Sequence, residues 1–381
     1  MNNRDTTNIR GIAYAEFHVE DLAKAAANLV EGFGFSIEPP GGQGEYAPSD
    51  GAVQRIGLRS GGVRLILAAA ADPEHPVAEF ARRHGDGVAV VAVSCQDPEA
   101  AYAYAVEQGA TPVDAHDLTI AGFGDSAIRF APLSAVGELA TPLRAAVPAP
   151  RTGSGPEPSA LPPPVHVTAI DHVAVCVPSG ALAGIIEFCD RMLGLRRIFG
   201  GYIKVGSQGM DSVVMQSESG AVTFTVLEPD AAAEPGQIDD FLDGHGGAGI
   251  QHLALRTTDI ADGIRRLGER GVDFLSTPAA YYDALEQRLG RTEIPLGTLR
   301  ELNILVDQDH GGRLFQIFTR SVHTRRTYFF ELIERRGAST FGTANVTALY
   351  EAIDRETPST RPPTATTPAE GAHDDTAYSV R

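Results

Sequence analysis

Short stretches of alternating apolar and polar residues, each followed by a helical stretch that ends at glycine, recur along the chain. Residues 11–35 fit a strand, a turn with Asp21 as helix N-cap, and a helix closed by glycine, and residues 169–195 repeat that order. Residues 84–113 and 245–275 share a Gly-rich turn, a strand, an Asp, a helix and a glycine stop. The pattern predicts an α+β fold with internal repeats.

Two segments interrupt this pattern, and both are rich in Pro, Ser, Thr and Ala. Such segments bury too little apolar surface to offset the entropy cost of ordering. We therefore predict a first domain at 10–145, a Pro-rich linker at 146–165, a second domain at 166–356 and a disordered tail at 357–381. Each domain is expected to pair two βαβββ modules, whose curved mixed sheets surround a cavity.

Charge and apolar content narrow the range of partners. The formal net charge is −18, which repels nucleic-acid phosphates and anionic membrane surfaces. The chain has no apolar run of membrane-spanning length, and its first residues lack the apolar core of a signal peptide. These features predict a cytoplasmic protein without nucleic-acid or membrane partners. The sequence leaves a homo-oligomer as an open alternative.

Two histidines and one glutamate occupy corresponding strand positions in the second half. His172 and His252 are each the second residue of a strand in matching repeats, and Glu331 lies inside a third apolar strand. The spacings are 80 and 79 residues, nearly one module pair each. A carboxylate among apolar neighbours is costly to bury unless a positive group meets it. We therefore predict that the three side chains share a cation.

Two imidazoles and one carboxylate form the facial ligand set of non-haem Fe(II) oxygenases. Fe(II) with one carboxylate keeps a net charge of about +1, which attracts an anionic chelating substrate such as a 2-keto acid and leaves room for O₂. A single strand histidine is more often an ordinary core residue, but the matched positions favour ligands. The first half carries Tyr14 and Val90 at the corresponding positions, so we predict a metal-free scaffold domain there.

Five ordered motifs in the second half identify a family resemblance: GGAGIQHLAL, GVDFLSTPAAYYDAL, ILVDQDHGGRLFQIFT, FFELIER and FGTANVTALYEA. Together they resemble the 4-hydroxyphenylpyruvate dioxygenase family of the vicinal-oxygen-chelate superfamily, strongly over 166–356 and weakly over 10–145. The resemblance implies paired-module domains, a C-terminal helix over the site, and Fe(II) bound by His172, His252 and Glu331.

The resemblance also implies a set of substrate contacts, which combines hydroxyl, amide, aliphatic and aromatic side chains. These residues are Ser212, Thr225, Leu227, Gln237, Gln251, Gln316, Phe318, Phe329, Phe341 and Val346. Gln316 and Phe318 share one strand face independently of the resemblance, so an amide and a ring can line one cavity. Asn345 is expected to cap or brace the C-terminal helix rather than to contact substrate.

The family takes 4-hydroxyphenylpyruvate and O₂ and has two branches. One branch attacks the ring and forms homogentisate, and the other hydroxylates the benzylic carbon and forms 4-hydroxymandelate. Homogentisate-forming members typically carry Pro-Ile/Met-Asn-Glu-Pro where this chain has residues 225–229, TVLEP, and Phe where it has Val346. Both departures favour 4-hydroxymandelate, and with it supply of a hydroxyphenylglycine precursor for antibiotic biosynthesis.

Three alternatives remain at this stage. The nearest is a dioxygenase of the same family that forms homogentisate. The second, from another functional class, is a non-catalytic small-molecule-binding protein of the same fold, since a fold alone does not define an activity. The third is extradiol cleavage, which uses the same ligand triad but does not suit the glutamine set.

Overall fold

The computed structural model describes residues 7–38, 52–133, 164–339, 345 and 347. Most of the predicted linker, the predicted tail and the C-terminal helix lie outside the described residues. Two eight-stranded mixed sheets form the described part of the chain. The predicted α+β architecture of paired βαβββ modules is confirmed.

The first sheet has the strand order β2-β3-β4-β1-β5-β8-β7-β6. Its strands are β1 (Ile9–His18), β2 (Ser36–Ile37), β3 (Val53–Ser60), β4 (Val63–Ala70), β5 (Gly87–Cys95), β6 (Pro112–Asp114), β7 (Thr119–Ala121) and β8 (Ala127–Pro132). The central strands β1 and β5 pair antiparallel, and each begins one module.

The second sheet repeats that order as β10-β11-β12-β9-β13-β16-β15-β14. Its strands are β9 (Val167–Cys176), β10 (Arg196–Val205), β11 (Gln208–Gln216), β12 (Thr223–Pro229), β13 (Gly249–Thr257), β14 (Leu305–Gln308), β15 (Arg313–Phe318) and β16 (Phe329–Arg336). The sheets span 9–132 and 167–336 and so fall inside the predicted domain limits, which stay predictions.

Capping residues bound several of the helices. The helices are α1 (Leu22–Ala27), continued by a π-helical turn at Asn28–Gly32, α2 (Pro76–His84), α3 (Pro98–Glu107), α4 (Leu182–Leu193), α5 (Gln237–His245), α6 (Ile260–Glu269), α7 (Ala279–Asp283), α8 (Leu285–Leu289) and α9 (Leu296–Glu301). Asp21 caps α1 by accepting a hydrogen bond from the Lys24 backbone N–H. Gly194 and Gly246 end α4 and α5 in the left-handed conformation, which suits glycine. None of the helices described is long and apolar enough to cross a membrane.

One continuous apolar core runs through both halves. Val173 and Val175 lie in this core together with Val91 and Val93 of the first sheet. Aromatic contacts also join the halves: the ring centroids of Phe17 and Tyr328 lie 5.3 Å apart. Strand residues that alternate with this core face the opposite side of each sheet, where the cavity-lining residues are found.

A second contact between the halves lies at the C-terminal ends of α2 and α5. The His84 and His245 rings stack with their centroids 4.3 Å apart. The Arg325 guanidinium donates hydrogen bonds to the carbonyl oxygens of Arg83 and Gly244, at 2.6 and 2.7 Å. A cation at the C-terminal end of a helix is stabilised by the helix dipole. Arg325 therefore ties the loop between β15 and β16 to both helices.

Candidate metal centre

Strand register brings the three predicted ligands together. On neighbouring strands, Ala254 of β13 pairs with His172 of β9 and with Glu331 of β16, while His252 pairs with Ala174. Directly paired residues share a face of a sheet. The alanines opposite the ligands leave space between strands, so the three functional side chains converge above Ala254.

A β-bulge precedes each of the two histidines. Between β9 and β13, Asp171 is an extra residue before His172, and Gln251 is an extra residue before His252. A bulge disturbs the strict alternation of side chains and re-aims them. Asp171 and Gln251 thus contact the rings of the histidines that follow them, although alternation alone would place each on the opposite face.

The ligand atoms lie close together in a buried setting. Glu331 Oε2 lies 3.2 Å from His172 Nε2 and 3.5 Å from His252 Nε2. The relative exposures of His172, His252 and Glu331 are 2%, 6% and 2%. Within the part of the chain that the structure describes, they are the group of potential metal ligands whose atoms all lie within 4.8 Å of one another.

The other ring nitrogens have oxygen partners. His172 Nδ1 lies 3.1 Å from Asp171 Oδ1, and His252 Nδ1 lies 3.2 Å from Gln251 Oε1. A carboxylate or amide oxygen accepts a hydrogen bond from Nδ1–H, which leaves the Nε2 lone pair available to a metal. Both imidazoles are therefore oriented to ligate through Nε2.

Burial and charge act in opposite directions on the three ligands. Burial alone lowers the pKa of His172, but the Glu331 and Asp171 carboxylates outweigh it and raise the pKa. Burial predominates at His252, where it lowers the pKa. Burial alone raises the pKa of Glu331, but the two histidines outweigh it and lower the pKa. Glu331 is thus held as the carboxylate, the form that binds metals.

The donor set fits a divalent transition metal. Glu331 Oε1 is buried and has no hydrogen-bond partner, although an uncompensated carboxylate oxygen is costly in such a place. A cation between the three side chains would satisfy that oxygen and both Nε2 lone pairs. Two imidazoles with one carboxylate and open positions match the facial arrangement of non-haem iron sites. The three side chains therefore have the donor atoms, the charge and the unpaired carboxylate oxygen expected of a metal site.

Most of the predicted substrate residues lie on the same face as the triad. One row of side chains extends across β9, β12 and β11. It is formed by the pairs Thr225–Ala174, Leu227–Cys176 and Ser212–Leu227. On the other side of the triad, Phe318 pairs with Glu331, and Gln316, two residues earlier on β15, lies on the same face. The residues that register or contact brings to this face are Ser212, Thr225, Leu227, Gln251, Gln316, Phe318 and Phe329.

Polar atoms and rings surround the triad. Gln316 Oε1 and Thr225 Oγ1 are buried without a hydrogen-bond partner, and both therefore suit a polar ligand. Phe329 stacks on His252 with ring centroids 4.8 Å apart, and Phe318 meets His252 edge-on at 5.9 Å. Gln237 begins α5 and is buried. The arrangement combines apolar walls with a few polar groups, as small-molecule sites do.

Two predicted contacts, Phe341 and Val346, lie outside the described residues, together with the predicted helix over the site. Asn345 between them is described and is fully buried. Its Oδ1 lies 2.9 Å from the Tyr281 hydroxyl. This contact fits the bracing role expected of Asn345.

Asp171 also belongs to the site, although the sequence pattern did not predict it. Its carboxylate lies 2.9 Å from Arg335 and 2.7 Å from Arg256 as well as next to His172. These partners outweigh burial and hold the pKa of Asp171 well below its usual range. The sequence did contain an indication of this role, because a charged residue inside an apolar strand requires charged or polar partners on neighbouring strands.

The first sheet carries other side chains at the matching positions. Tyr14 pairs with Ala92 as His172 pairs with Ala254, and Ala92 pairs with Arg129 as Ala254 pairs with Glu331. Val90 takes the position of His252 by the same register. A tyrosine, a valine and an arginine thus stand where the second sheet has its three ligands.

Comparison with protein-family models gives two matches. Residues 171–287 match the Glyoxalase/Bleomycin resistance protein/Dioxygenase superfamily. Residues 49–131 match the N-terminal domain of hydroxyphenylpyruvate dioxygenase. Fold and matches together define a member of this superfamily that has two eight-stranded sheets and carries a candidate metal site on the second.

Individual relatives cover nearly the whole chain. The 4-hydroxyphenylpyruvate dioxygenases of Coccidioides posadasii and Caenorhabditis elegans are each 30% identical, over 92% and 90% of this chain and 94% and 91% of theirs. A solved triple mutant of 4-hydroxymandelate synthase from Streptomyces coelicolor is 40% identical, with a TM-score of 0.75 over 91% of this chain and 99% of that one. The chain belongs to the 4-hydroxyphenylpyruvate dioxygenase family.

Proposed function

We propose that this protein is an Fe(II)-dependent dioxygenase that converts 4-hydroxyphenylpyruvate and O₂ into 4-hydroxymandelate and CO₂. The observation that carries the proposal is the convergence of His172, His252 and Glu331 on one buried sheet face, beside buried amides and phenyl rings. Atoms balance because one oxygen of O₂ enters the new carboxyl group and the other the benzylic hydroxyl. We place the reaction in the cytoplasm, in the supply of a hydroxyphenylglycine precursor.

His172, His252 and Glu331 would hold the iron. When bound, Fe(II) supplies the electrons that activate O₂ and a Lewis acid that chelates the 2-keto acid. The ligands themselves contribute one negative charge, so the loaded site keeps a charge of about +1 and attracts the keto acid. Asp171 and Gln251 orient the two imidazoles through Nδ1.

The surrounding side chains bind and orient the substrate. Phe318 and Phe329 form walls for its ring, and Ser212, Thr225, Gln237, Gln251 and Gln316 offer polar contacts to its phenol or keto acid. An apolar cluster that includes Cys176, Leu227 and Phe318 excludes water from one side of the site. Phe341 and Val346 complete the proposed contact set.

Leu227 supports the benzylic branch. It is buried in the apolar cluster and pairs with Ser212 and Cys176 on the site face. Because its side chain is aliphatic, it offers the substrate no hydrogen bond. An amide at this position would bind a polar group and fix the substrate ring. Without it the ring can tilt so that the benzylic carbon lies nearest the reacting oxygen. A displacement of about 1 Å is enough to change the outcome.

A product assay tests the proposal. Purified protein is loaded with Fe(II) and incubated with 4-hydroxyphenylpyruvate in air while O₂ uptake is followed. The two candidate products are isomers of equal mass, so chromatography against both standards must separate them. We expect 4-hydroxymandelate as the main product. Homogentisate as the main product would overturn the branch, and iron-loaded protein that binds substrate without taking up O₂ would favour the binding-protein alternative.

A paired substitution tests the branch residues. Leu227→Asn combined with Val346→Phe is expected to divert part of the flux to ring-attack products. Leu227→Met, which conserves volume and apolarity, serves as the control and should keep the 4-hydroxymandelate share. An unchanged product ratio in the double variant would exclude these two residues as the determinants.

A further inference from the structure

Helix α5 forms one wall of the proposed substrate site. Gln237, a proposed substrate contact, begins the helix and is buried. Ile238 and Phe241 lie in the apolar cluster that also contains Leu227 and Phe318. The helix spans nine residues, about two and a half turns, so a shift of its C-terminal end also moves Gln237. The contacts that hold this end therefore bear on substrate binding.

A residue of the first half holds the C-terminal end of α5. His84 is the last residue of α2, and its Nδ1 lies 2.7 Å from the carbonyl oxygen of His245, the last residue of α5. Because a carbonyl oxygen only accepts, Nδ1–H donates this hydrogen bond, and it satisfies a carbonyl group that has no partner inside the helix. His84 is buried, and its Nε2 lies 2.9 Å from Asp125. The ring is thus fixed at both nitrogens.

A row of stacked rings connects this contact to the site. The His84 ring stacks on His245, and His245 stacks on Phe241 with ring centroids 5.1 Å apart and an interplanar angle of 17°. Phe241 itself belongs to the apolar cluster of the site. Since packed side chains transmit displacements, a change at His84 reaches the site through the rings as well as through the helix.

The turn that follows α2 also packs closely against the second half. A Cβ atom on Gly85 would clash with the His323 ring. The Thr327 hydroxyl donates a hydrogen bond to the Asp86 carbonyl oxygen at 2.9 Å. Arg325, in the same loop as His323 and Thr327, joins the ends of α2 and α5. The first half therefore presents a fixed surface to the C-terminal end of α5.

We propose that His84 is a positioning residue for the substrate, through which the first half sets the position of α5 and of Gln237. This inference rests on the proposed function, because it takes Gln237 as a substrate contact. The metal ligands lie on β9, β13 and β16, whereas the His84 hydrogen bonds go to α5 and Asp125. Loss of these bonds should weaken substrate binding and leave the metal in place. A uniform loss of binding raises KM without lowering kcat.

Steady-state kinetics of the iron-loaded protein with 4-hydroxyphenylpyruvate test the proposal. His84→Phe keeps the stacked ring but removes the hydrogen bond to His245. KM should rise by about 3–10-fold, as for the loss of one hydrogen bond, while kcat and metal content stay unchanged. His84→Asn keeps an N–H donor at the same number of bonds from the backbone as Nδ1, so KM should return to within about 2-fold of the wild-type value. His84→Leu replaces His84→Phe if that variant does not fold.

Thr7→Val is the matched control. The Thr7 hydroxyl of the first half donates a hydrogen bond at 2.9 Å to the carbonyl oxygen of Leu193, the last residue of α4. The contact is of the same kind but holds a different helix. Thr7→Val should lower the free energy of unfolding in urea as much as His84→Phe does, and it should leave KM unchanged.

A double-variant cycle shows whether His84 acts through Gln237. In a Gln237→Ala background, His84→Phe should change KM by less than about 2-fold, because the contact that it displaces is already absent. A wild-type KM in His84→Phe, an equal rise of KM in Thr7→Val, or the full effect of His84→Phe in the Gln237→Ala background would each overturn the proposal.

A second readout keeps this inference separate from the proposed function. Absence of turnover in the wild-type protein would overturn the proposed function, and amide hydrogen exchange would then test the position of α5 directly. We expect faster exchange in α5 of His84→Phe and not of Thr7→Val, because only the first variant releases the end of that helix. Equal exchange in α5 of both variants would overturn the proposal.

Discussion

The two sheets share a backbone plan but differ in the side chains on the corresponding face. Strand order is the same in both, and the bulges before His172 and His252 recur before Tyr14 and Val90. Only the second sheet carries Asp171 and a ligand triad at these places among the described residues. The backbone therefore brings side chains together in both sheets, and the identity of a few residues decides what they bind.

Charge is the sharpest difference between the two faces. Glu331 occupies the position that Arg129 holds in the first sheet. A carboxylate beside two imidazoles suits a cation, whereas a guanidinium at the same place repels one. Within a conserved geometry, this reversal of charge and the loss of both imidazoles separate the metal site from its counterpart.

The largest difference is expected when glutamine replaces the charged residue at two equivalent positions, Glu331 in the second sheet and Arg129 in the first. Glu331→Gln removes the charged ligand, so metal affinity and turnover should fall by more than ~100-fold, beyond the effect of losing an outer-shell partner. Arg129→Gln should leave the metal content per folded chain unchanged. Elemental analysis and O₂ uptake measure both. Full metal content and turnover in Glu331→Gln would contradict the ligand assignment.

Ala13 of the first sheet occupies the bulge position that corresponds to Asp171. Asp171→Ala therefore gives the second sheet the same residue as the first. We expect a metal affinity about 10–100-fold lower, because His172 loses its Nδ1 partner. The free energy of unfolding should fall by about 3–5 kcal/mol, because Arg335 is left without its buried carboxylate. Metal titration and urea unfolding measure the two effects.

The control for Asp171 is Asp262→Ala, which breaks an ion pair with Arg266 on α6 where the Asp262 side chain is 51% exposed. It should change the unfolding free energy by less than about 1 kcal/mol. Equal effects of the two aspartate variants would show that Asp171 does not position His172.

The stacked histidines between the halves should make stability depend on pH. Burial and His84 lower the pKa of His245 to about 4, below its ordinary value near 6.5. The folded state therefore keeps His245 neutral, and stability is lost as the pH falls from about 6.5 to about 4, by at most about 3 kcal/mol. Urea unfolding at pH 7.5 and pH 5 measures this loss.

His245→Phe should reduce that pH dependence, since phenylalanine preserves the stacked ring without a titrating group. The control is His116→Phe, where the imidazole is 97% exposed. This control variant should lose as much unfolding free energy between pH 7.5 and pH 5 as the wild-type protein does. An unchanged loss in His245→Phe would assign the pH dependence to other groups.

The smallest expected effect is at Arg325. Arg325→Ala removes hydrogen bonds to the carbonyl oxygens at the ends of α2 and α5, and stability should fall by about 1–2 kcal/mol. Arg325→Lys keeps the charge at the helix ends, so it should lose less stability than Arg325→Ala. Thermal unfolding of the three proteins measures the order. Identical midpoints for all three would show that the hydrogen bonds do not hold the halves together.

Alternation and repeat spacing were sufficient to predict the fold and the shared face of His172, His252 and Glu331. They could not predict the bulges, because a strict period of two puts Asp171 and His172 on opposite faces. Gln251 was expected only through the family resemblance for the same reason. Which face such residues occupy depends on pairing between strands, which a single sequence does not record.

The position of Arg129 could not be predicted from spacing. Val90 and Arg129 are 39 residues apart, whereas His252 and Glu331 are 79 apart. The difference arises because α7, α8 and α9 are inserted between α6 and β14 in the second half. Only the pairing of β8 with β5 shows that Arg129 corresponds to Glu331.

The core shared by the two halves has a consequence for the chain during its synthesis. Phe17 packs against Tyr328, which is 311 residues further along the chain. At the usual rate of about 5–20 residues per second, the ribosome needs about 15–60 s to supply that partner. The apolar face of the first sheet is therefore open to water and to other chains for that time. A chain that terminates early would keep that face uncovered permanently, so the first half alone should aggregate.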